Sequence, residues 1–112
     1  MTTKGDGEMY VMMIAKHSPE SCPLFNEDIR KTYQGITQSY PETIAKHGVK
    51  LVGSWANFGT HTMYIVCDAP GMDAWMATIN EPGSALGLSF MTAEFFPVMS
   101  WEESEAYMST LQ

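Results

Sequence analysis

The chain has 112 residues, a formal net charge of −7 at pH 7 and a hydrophobic content of 45%. This length fits one domain, and the hydrophobic content, which includes three Trp, five Tyr and five Phe, excludes a disordered chain. The negative charge argues against nucleic acid and anionic membrane as partners. Proteins that bind them need clustered Lys and Arg, whereas the six such residues here are scattered.

The N-terminal residues show neither a secretory signal nor a membrane span. Met1 to Gly7 are polar, and no apolar run approaches the roughly 20 residues that cross a bilayer. We therefore expect a cytoplasmic protein in which Cys22 and Cys67 are free thiols. Residues 1 to 8 lack periodicity and are predicted to form a flexible tail before a single domain at residues 9 to 112.

Three segments predict the strands of a sheet. Met9 to His17 has apolar residues at both strand parities, and so does Thr60 to Cys67, the second arm of a β-hairpin that begins at Val49. Strands of this kind are usually covered on both faces. A last strand is predicted to begin at Leu86 or Leu88 and to end at Met99.

Apolar residues at steps of three and four predict a long first helix, from Pro23 or Asn26 to His47. Pro23 suits the first helical turn, which would place Cys22 at the helix N-terminus. Pro41 is expected to kink or split this helix, because proline removes a backbone hydrogen bond and collides with the preceding turn.

A second, shorter helix is predicted from Met72, and the tripeptide Glu81 to Gly83 is expected to end it. Ser100 and Glu103 form a capping box for a C-terminal helix. The resulting order, β-α-β-β-α-β plus that helix, is the ferredoxin-like α+β arrangement, with strand order 4-1-3-2. Two helices cover only one face of a four-stranded sheet, so a second copy of the chain is expected on the other face, giving a homodimer.

Three segments carry a resemblance to the dimeric α/β-barrel superfamily, and in particular to its small GYD-domain and DUF3303-like members. They are Leu51 to Trp55, Met63 to Pro70 and Phe95 to Met99. The superfamily includes cofactor-independent monooxygenases, muconolactone-isomerase-like enzymes, haem-binding relatives of chlorite dismutase and ligand-sensing domains. The resemblance therefore implies a dimeric ferredoxin-like fold and leaves the activity open.

His17, Cys22 and His61 are the candidate ligands for a metal or another group. In the predicted strand order, the end of the first strand and the start of the third meet at one edge of the sheet, and Cys22 follows His17 by five residues. Imidazole and thiolate suit a transition metal or a haem iron, and Cys22-Pro23 resembles the Cys-Pro haem-regulatory motif. The alternative is two polar strand ends in water and a packed cysteine.

Trp55, Asn57 and Tyr64 in the hairpin are the candidate pocket residues, because small-molecule sites combine an aromatic lining with few polar groups. Packing in a dimer interface explains them equally well.

Three classes of function remain open on the sequence. The first is a homodimeric protein that binds a small molecule, metal or haem between sheet and helices. The second is a cofactor-independent monooxygenase or isomerase with a histidine general base. The third is a structural assembly protein without a site.

Overall fold

The four strands form one antiparallel sheet in a computed structural model that describes residues 9 to 111. The predicted tail at residues 1 to 8 lies outside the described residues. The strands cross the sheet in the order β2-β3-β1-β4, which is the predicted order. Their bounds are β1 (Met9–His17), β2 (Lys50–Asn57), β3 (Thr62–Ala69) and β4 (Met91–Val98).

Four helices accompany the sheet in the described part of the chain. They are α1 (Glu27–Ala45), α2 (Met72–Ile79), α3 (Pro82–Leu88) and α4 (Trp101–Met108), and a short 3-10 helix spans Pro19–Ser21. The molecule therefore has the predicted ferredoxin-like α+β fold with an additional C-terminal helix. None of the helices within residues 9 to 111 is both long and apolar enough to cross a membrane.

One face of the sheet packs against the helices and holds the core. Val11 and Met13 of β1 and Ile65 and Cys67 of β3 are buried there, together with side chains from the helices that include Trp75. The ring of Trp75 meets Phe95 edge to face, with ring centroids 5.8 Å apart. Such a pair contributes about 1 kcal/mol beyond the burial of its apolar area.

The opposite, open face of the sheet is also rich in large apolar side chains. Strand alternation places Met12, Ile14, Tyr64 and Val66 on this face, and all four are only half-buried. Phe96, on the same face of β4, is 37% exposed. The two central strands are thus apolar on both sides but well covered on only one.

The start of α1 agrees with the second of the two predicted positions, Asn26, and not with Pro23. Its N-cap is Asn26, whose side-chain Oδ1 accepts a hydrogen bond of 3.1 Å from the backbone N–H of Ile29. Cys22 lies four residues earlier, directly after the short 3-10 helix, so its predicted place at the helix N-terminus was wrong. An asparagine cap satisfies a free N–H of the first turn, which Cys22 does not do.

Pro41 lies inside α1 without splitting it, contrary to one predicted outcome. Proline there removes a single backbone hydrogen bond, and packing of the helix against the sheet offsets that loss.

The segment before β4 also differs from the prediction. Pro82 begins α3, where the sequence predicted the end of a helix, and β4 consequently begins at Met91 and not at Leu86 or Leu88. Proline is favourable at the first helical position because its missing N–H has no partner within the helix there.

The C-terminal helix α4 begins with the predicted capping box. The Ser100 side chain accepts from the backbone N–H of Glu103, and the Glu103 carboxylate accepts from the backbone N–H of Ser100. Much of its apolar surface is uncovered, since Trp101 is 72% exposed and Tyr107 59%. The capping interactions, more than packing, define where this helix begins.

Candidate functional site

A cavity of about 260 Å³ lies between the helix-facing side of the sheet and the helices. Met13, Ala15 and Ile65 of the two central strands contribute to its wall on the sheet side, and Tyr33, Ile36 and Tyr40 of α1 lie across from them. The third side comes from α2 and α3, through residues that include Ile79 and Gly87. The wall is therefore built mainly from apolar and aromatic side chains.

Several polar groups in this wall already have partners. The hydroxyl of Tyr33 donates to Sδ of Met63, and the hydroxyl of Thr37 donates to the backbone carbonyl of Gln34 at 3.2 Å. The hydroxyl of Tyr40 faces the thiol of Cys67. Because these groups are engaged, the cavity favours an apolar ligand with few hydrogen-bonding groups.

Burial changes the acidity of the groups around the cavity. It raises the pKa of the Tyr33 and Tyr40 hydroxyls, and for Tyr40 the nearby Cys67 adds to the effect. The pKa of Cys67 is raised to about 11, chiefly by burial, although the neighbouring Tyr40 hydroxyl opposes that rise. All three groups are therefore neutral at pH 7, which preserves the apolar character of the wall.

His17, Cys22 and His61 meet at one end of the sheet. One potential ligand atom from each residue lies within 4.8 Å of the others. His17 ends β1, and His61 lies in the turn before β3 with a φ of 53°. The backbone N–H of His17 donates to the carbonyl of His61 at 3.1 Å, which fixes the spacing of the two residues.

The two imidazoles of this cluster are in direct contact. Their ring centroids are 5.1 Å apart and their planes meet at 73°. Burial, with a smaller contribution from His61, lowers the pKa of His17, so that its ring is neutral at pH 7. The Cys22 side chain is completely buried, and both cysteines are free.

The three pocket residues predicted in the hairpin lie in different places. Trp55 borders the cavity, but its indole ring lies over Gly53 on the open face of the sheet. Asn57 does not border the cavity, and its side-chain oxygen accepts from the backbone N–H of Thr60 at 3.2 Å in the hairpin turn. Tyr64 pairs with Trp55 across the strands and points its side chain to the open face.

Most of the cavity wall was not predicted as a site. Tyr33, Ile36 and Tyr40 belong to the apolar stripe whose spacing predicted α1. The stripe did not indicate a site, because a cavity wall and an ordinary core use the same residue types at the same spacing. Gly87 could have indicated the cavity from the sequence, since a glycine near a helix end leaves space beside it. That space lies next to the methyl group of Met91, which a Cβ on Gly87 would approach to 3.4 Å.

His47 lies away from the cluster, at the end of α1. Its Nε2 is 2.7 Å from Oε1 of Glu81, the residue before α3. This pair connects the end of α1 to the junction of α2 and α3 and has a structural role.

Fold and sites together define a small ferredoxin-like α+β protein with an apolar cavity beneath its helices. Residues 12 to 112 match a family model described as a domain of unknown function, DUF3303. The match covers most of the chain, so the chain belongs to the DUF3303 family, in agreement with the resemblance seen in its sequence. A search among curated proteins found no match.

Proposed function

We propose that this protein is a homodimeric small-molecule-binding protein whose ligand occupies the cavity between the sheet and the helices. The observation that carries the proposal is the cavity itself, with a volume of about 260 Å³ and an apolar wall. A dry engineered cavity of about 150 Å³ binds benzene. The larger cavity here therefore suits an apolar ligand between one and two aromatic rings in size, or an aliphatic molecule of similar volume.

The alternative of a histidine general base has less support. A general base must reach the proton it removes, at about 3 Å or through one water. Neither His17 nor His61 is among the residues that line the cavity. Binding is thus the function that the geometry favours over proton transfer.

Isothermal titration calorimetry with 2-naphthol as the probe ligand tests this binding. We expect one probe molecule per chain and a negative heat-capacity change, which marks burial of apolar surface. Ser54→Phe places a ring at the edge of the cavity on β2, and Ala15→Leu adds bulk from the sheet side. Both variants should lose the binding.

Ser39→Phe is the matched control, because Ser39 is exposed on α1 and does not line the cavity. Folding of each variant is checked by circular dichroism before titration. Equal binding by the parent, Ser54→Phe and Ala15→Leu proteins, or no binding by the parent at millimolar probe, would overturn the proposal.

The homodimer rests on the open face of the sheet. Large apolar side chains such as Met12, Ile14 and Val66 lie there half-buried, which is unusual for the centre of a sheet unless another surface covers it. A second copy presents the same face, and its apolar character is complementary to itself about a two-fold axis.

Light scattering tests this assembly. We expect a dimer at micromolar concentration for the parent chain and a monomer for Ile14→Lys, which places a charge at the centre of the open face. Thr43→Lys on α1 is the control and should stay dimeric. A monomeric parent chain would contradict the dimer without bearing on the cavity.

A further inference from the structure

We propose that His17, Cys22 and His61 form a binding site for one transition-metal ion per chain, with Zn²⁺ as the best fit. The site is separate from the proposed ligand cavity, since none of the three residues lines that cavity. A failure of either proposal therefore leaves the other one standing.

Three separate segments of the chain converge at one end of the sheet. The end of β1, the loop after the 3-10 helix and the turn before β3 each supply one ligand atom, and all three atoms lie within 4.8 Å of one another. In a tetrahedral zinc site with bonds of about 2.0 to 2.3 Å, neighbouring ligand atoms are about 3.3 to 3.7 Å apart. Small rotations of the side chains close the remaining distance.

Two nitrogen atoms of this cluster lack hydrogen-bond partners among the described residues, an observation that is independent of the convergence. His17 Nε2 and His61 Nδ1 are buried and make no hydrogen bond within the described chain. A buried polar atom without a partner costs about 1 to 3 kcal/mol. Two such nitrogens beside a fully buried thiol are explained together if all three atoms bind one ion.

Backbone interactions hold the two histidines in place before any ion binds. The hydrogen bond from the His17 N–H to the His61 carbonyl joins the two residues, and the φ of 53° at His61 turns the chain tightly at this point. A non-glycine residue with positive φ is uncommon, although histidine adopts it more readily than most residues. A site formed in advance needs less ordering when the ion binds.

The donor set indicates the kind of ion. Two imidazoles and one thiolate suit Zn²⁺ and neighbouring late transition metals, whereas Mg²⁺ and Ca²⁺ prefer oxygen ligands. On binding, the S–H bond of Cys22 breaks, its proton goes to solvent and a sulfur–metal bond forms, without oxidation or reduction. Three protein ligands leave the fourth tetrahedral position open to water or another ligand. Haem fits less well, because the Cys22 thiol is completely buried.

The test uses the full chain in reducing buffer with Co²⁺ as a spectroscopic substitute for Zn²⁺. We expect one Co²⁺ per chain, visible bands of a tetrahedral ion and a thiolate-to-cobalt charge-transfer band, all displaced by Zn²⁺. Cys22→Ser should abolish the charge-transfer band. His17→Ala and His61→Ala should each weaken binding about tenfold or more.

The chain offers a matched control for each residue type. Cys67 is the other buried thiol, and His47 is the histidine paired with Glu81, so Cys67→Ser and His47→Ala should bind Co²⁺ as the parent does. A charge-transfer band that persists in Cys22→Ser, or that disappears equally in Cys67→Ser, would overturn the proposal. Absence of any cobalt spectrum in the parent would overturn it as well.

A second measurement needs no variant and covers the case in which a substitution prevents folding. Zn²⁺ should slow the alkylation of Cys22 by iodoacetamide while leaving the rate at Cys67 unchanged, as measured by mass spectrometry of the separate peptides. Equal protection of both cysteines, or of neither, would contradict metal binding at Cys22.

Discussion

Replacing Gly87 with alanine should stabilise the protein and at the same time weaken its binding of an apolar ligand. Gly87 is buried in α3 and lines the cavity. A Cβ at this position would lie 3.4 Å from Cε of Met91 and 3.7 Å from Cδ1 of Ile36, which are ordinary van der Waals distances. The added methyl group therefore fits without displacing its neighbours.

Two contributions set the size of the stabilisation. Alanine is favoured over glycine in a helix by about 0.5 to 1 kcal/mol, the lower value applying near a helix end. Burial of one methyl group adds about 0.8 kcal/mol. We expect the free energy of unfolding to rise by about 1 to 2 kcal/mol and the affinity for 2-naphthol to fall, because the methyl group occupies part of the cavity.

Gly35→Ala is the matched control. Gly35 is exposed in the middle of α1, and a Cβ there meets no atom within 4 Å. This substitution should raise stability by about 1 kcal/mol through helix propensity alone and leave the affinity for 2-naphthol unchanged.

Urea unfolding at one fixed chain concentration measures the stabilities, since any dimer makes the result depend on concentration. Calorimetric titration measures the probe affinity. A Gly87→Ala protein that is less stable than the parent would show that the methyl group does not fit. Equal affinity for 2-naphthol in both variants would show that the ligand does not bind beside α3.

Three further predictions concern other parts of the molecule. The pKa of Cys67 is raised to about 11, so its protonated thiol should contribute up to about 2.5 kcal/mol to stability below pH 9, and this contribution should be lost as the pH rises through about 11. Urea unfolding at several pH values should show a shallower decline of stability with pH for Cys67→Ala than for the parent, and an equal decline would refute the assignment. His47 and Glu81 should show a coupling free energy of about 1 kcal/mol in a double-mutant cycle of alanine variants. Additive losses of stability in the two single variants would contradict an interaction between them. Ser100→Ala should increase amide exchange in α4 while global stability changes by less than about 1 kcal/mol, because much of this helix is uncovered; a larger loss would indicate that α4 packs on the fold.

The sequence was sufficient for the architecture because the main signals were local. Met9 to His17 was predicted with its observed bounds, since apolar residues at both parities indicate a central strand. The strand order followed from the succession of strands and helices and is confirmed. The junction at Pro82 was misjudged because Pro and Gly can end one helix or begin another, and only packing of α3 against α1 and β4 decides between them.

The sequence indicated the histidine and cysteine cluster more fully than it indicated the cavity. The approach of His17 to His61 followed from topology, because the antiparallel partner of the last residues of β1 is the start of β3. Cys22 was expected nearby for a partly wrong reason, since a loop and not a helix N-terminus brings it there. A site between sheet and helices was predicted, but its wall residues could not be recognised. They are the residue types of an ordinary core, and the volume of the cavity depends on how the helices pack.

The alternation of side chains along β1 makes metal binding and dimer formation separable. His17 lies on the helix-facing side of the sheet with Ala15 and Met13, whereas Ile14 points to the open face. Ile14→Lys should therefore disrupt the proposed dimer and leave the affinity for Co²⁺ unchanged, as followed by light scattering and the cobalt spectrum on the same sample. A folded Ile14→Lys monomer that no longer binds Co²⁺ would mean that the second copy supplies a ligand, and the site would then have to be assigned to the dimer and not to the single chain.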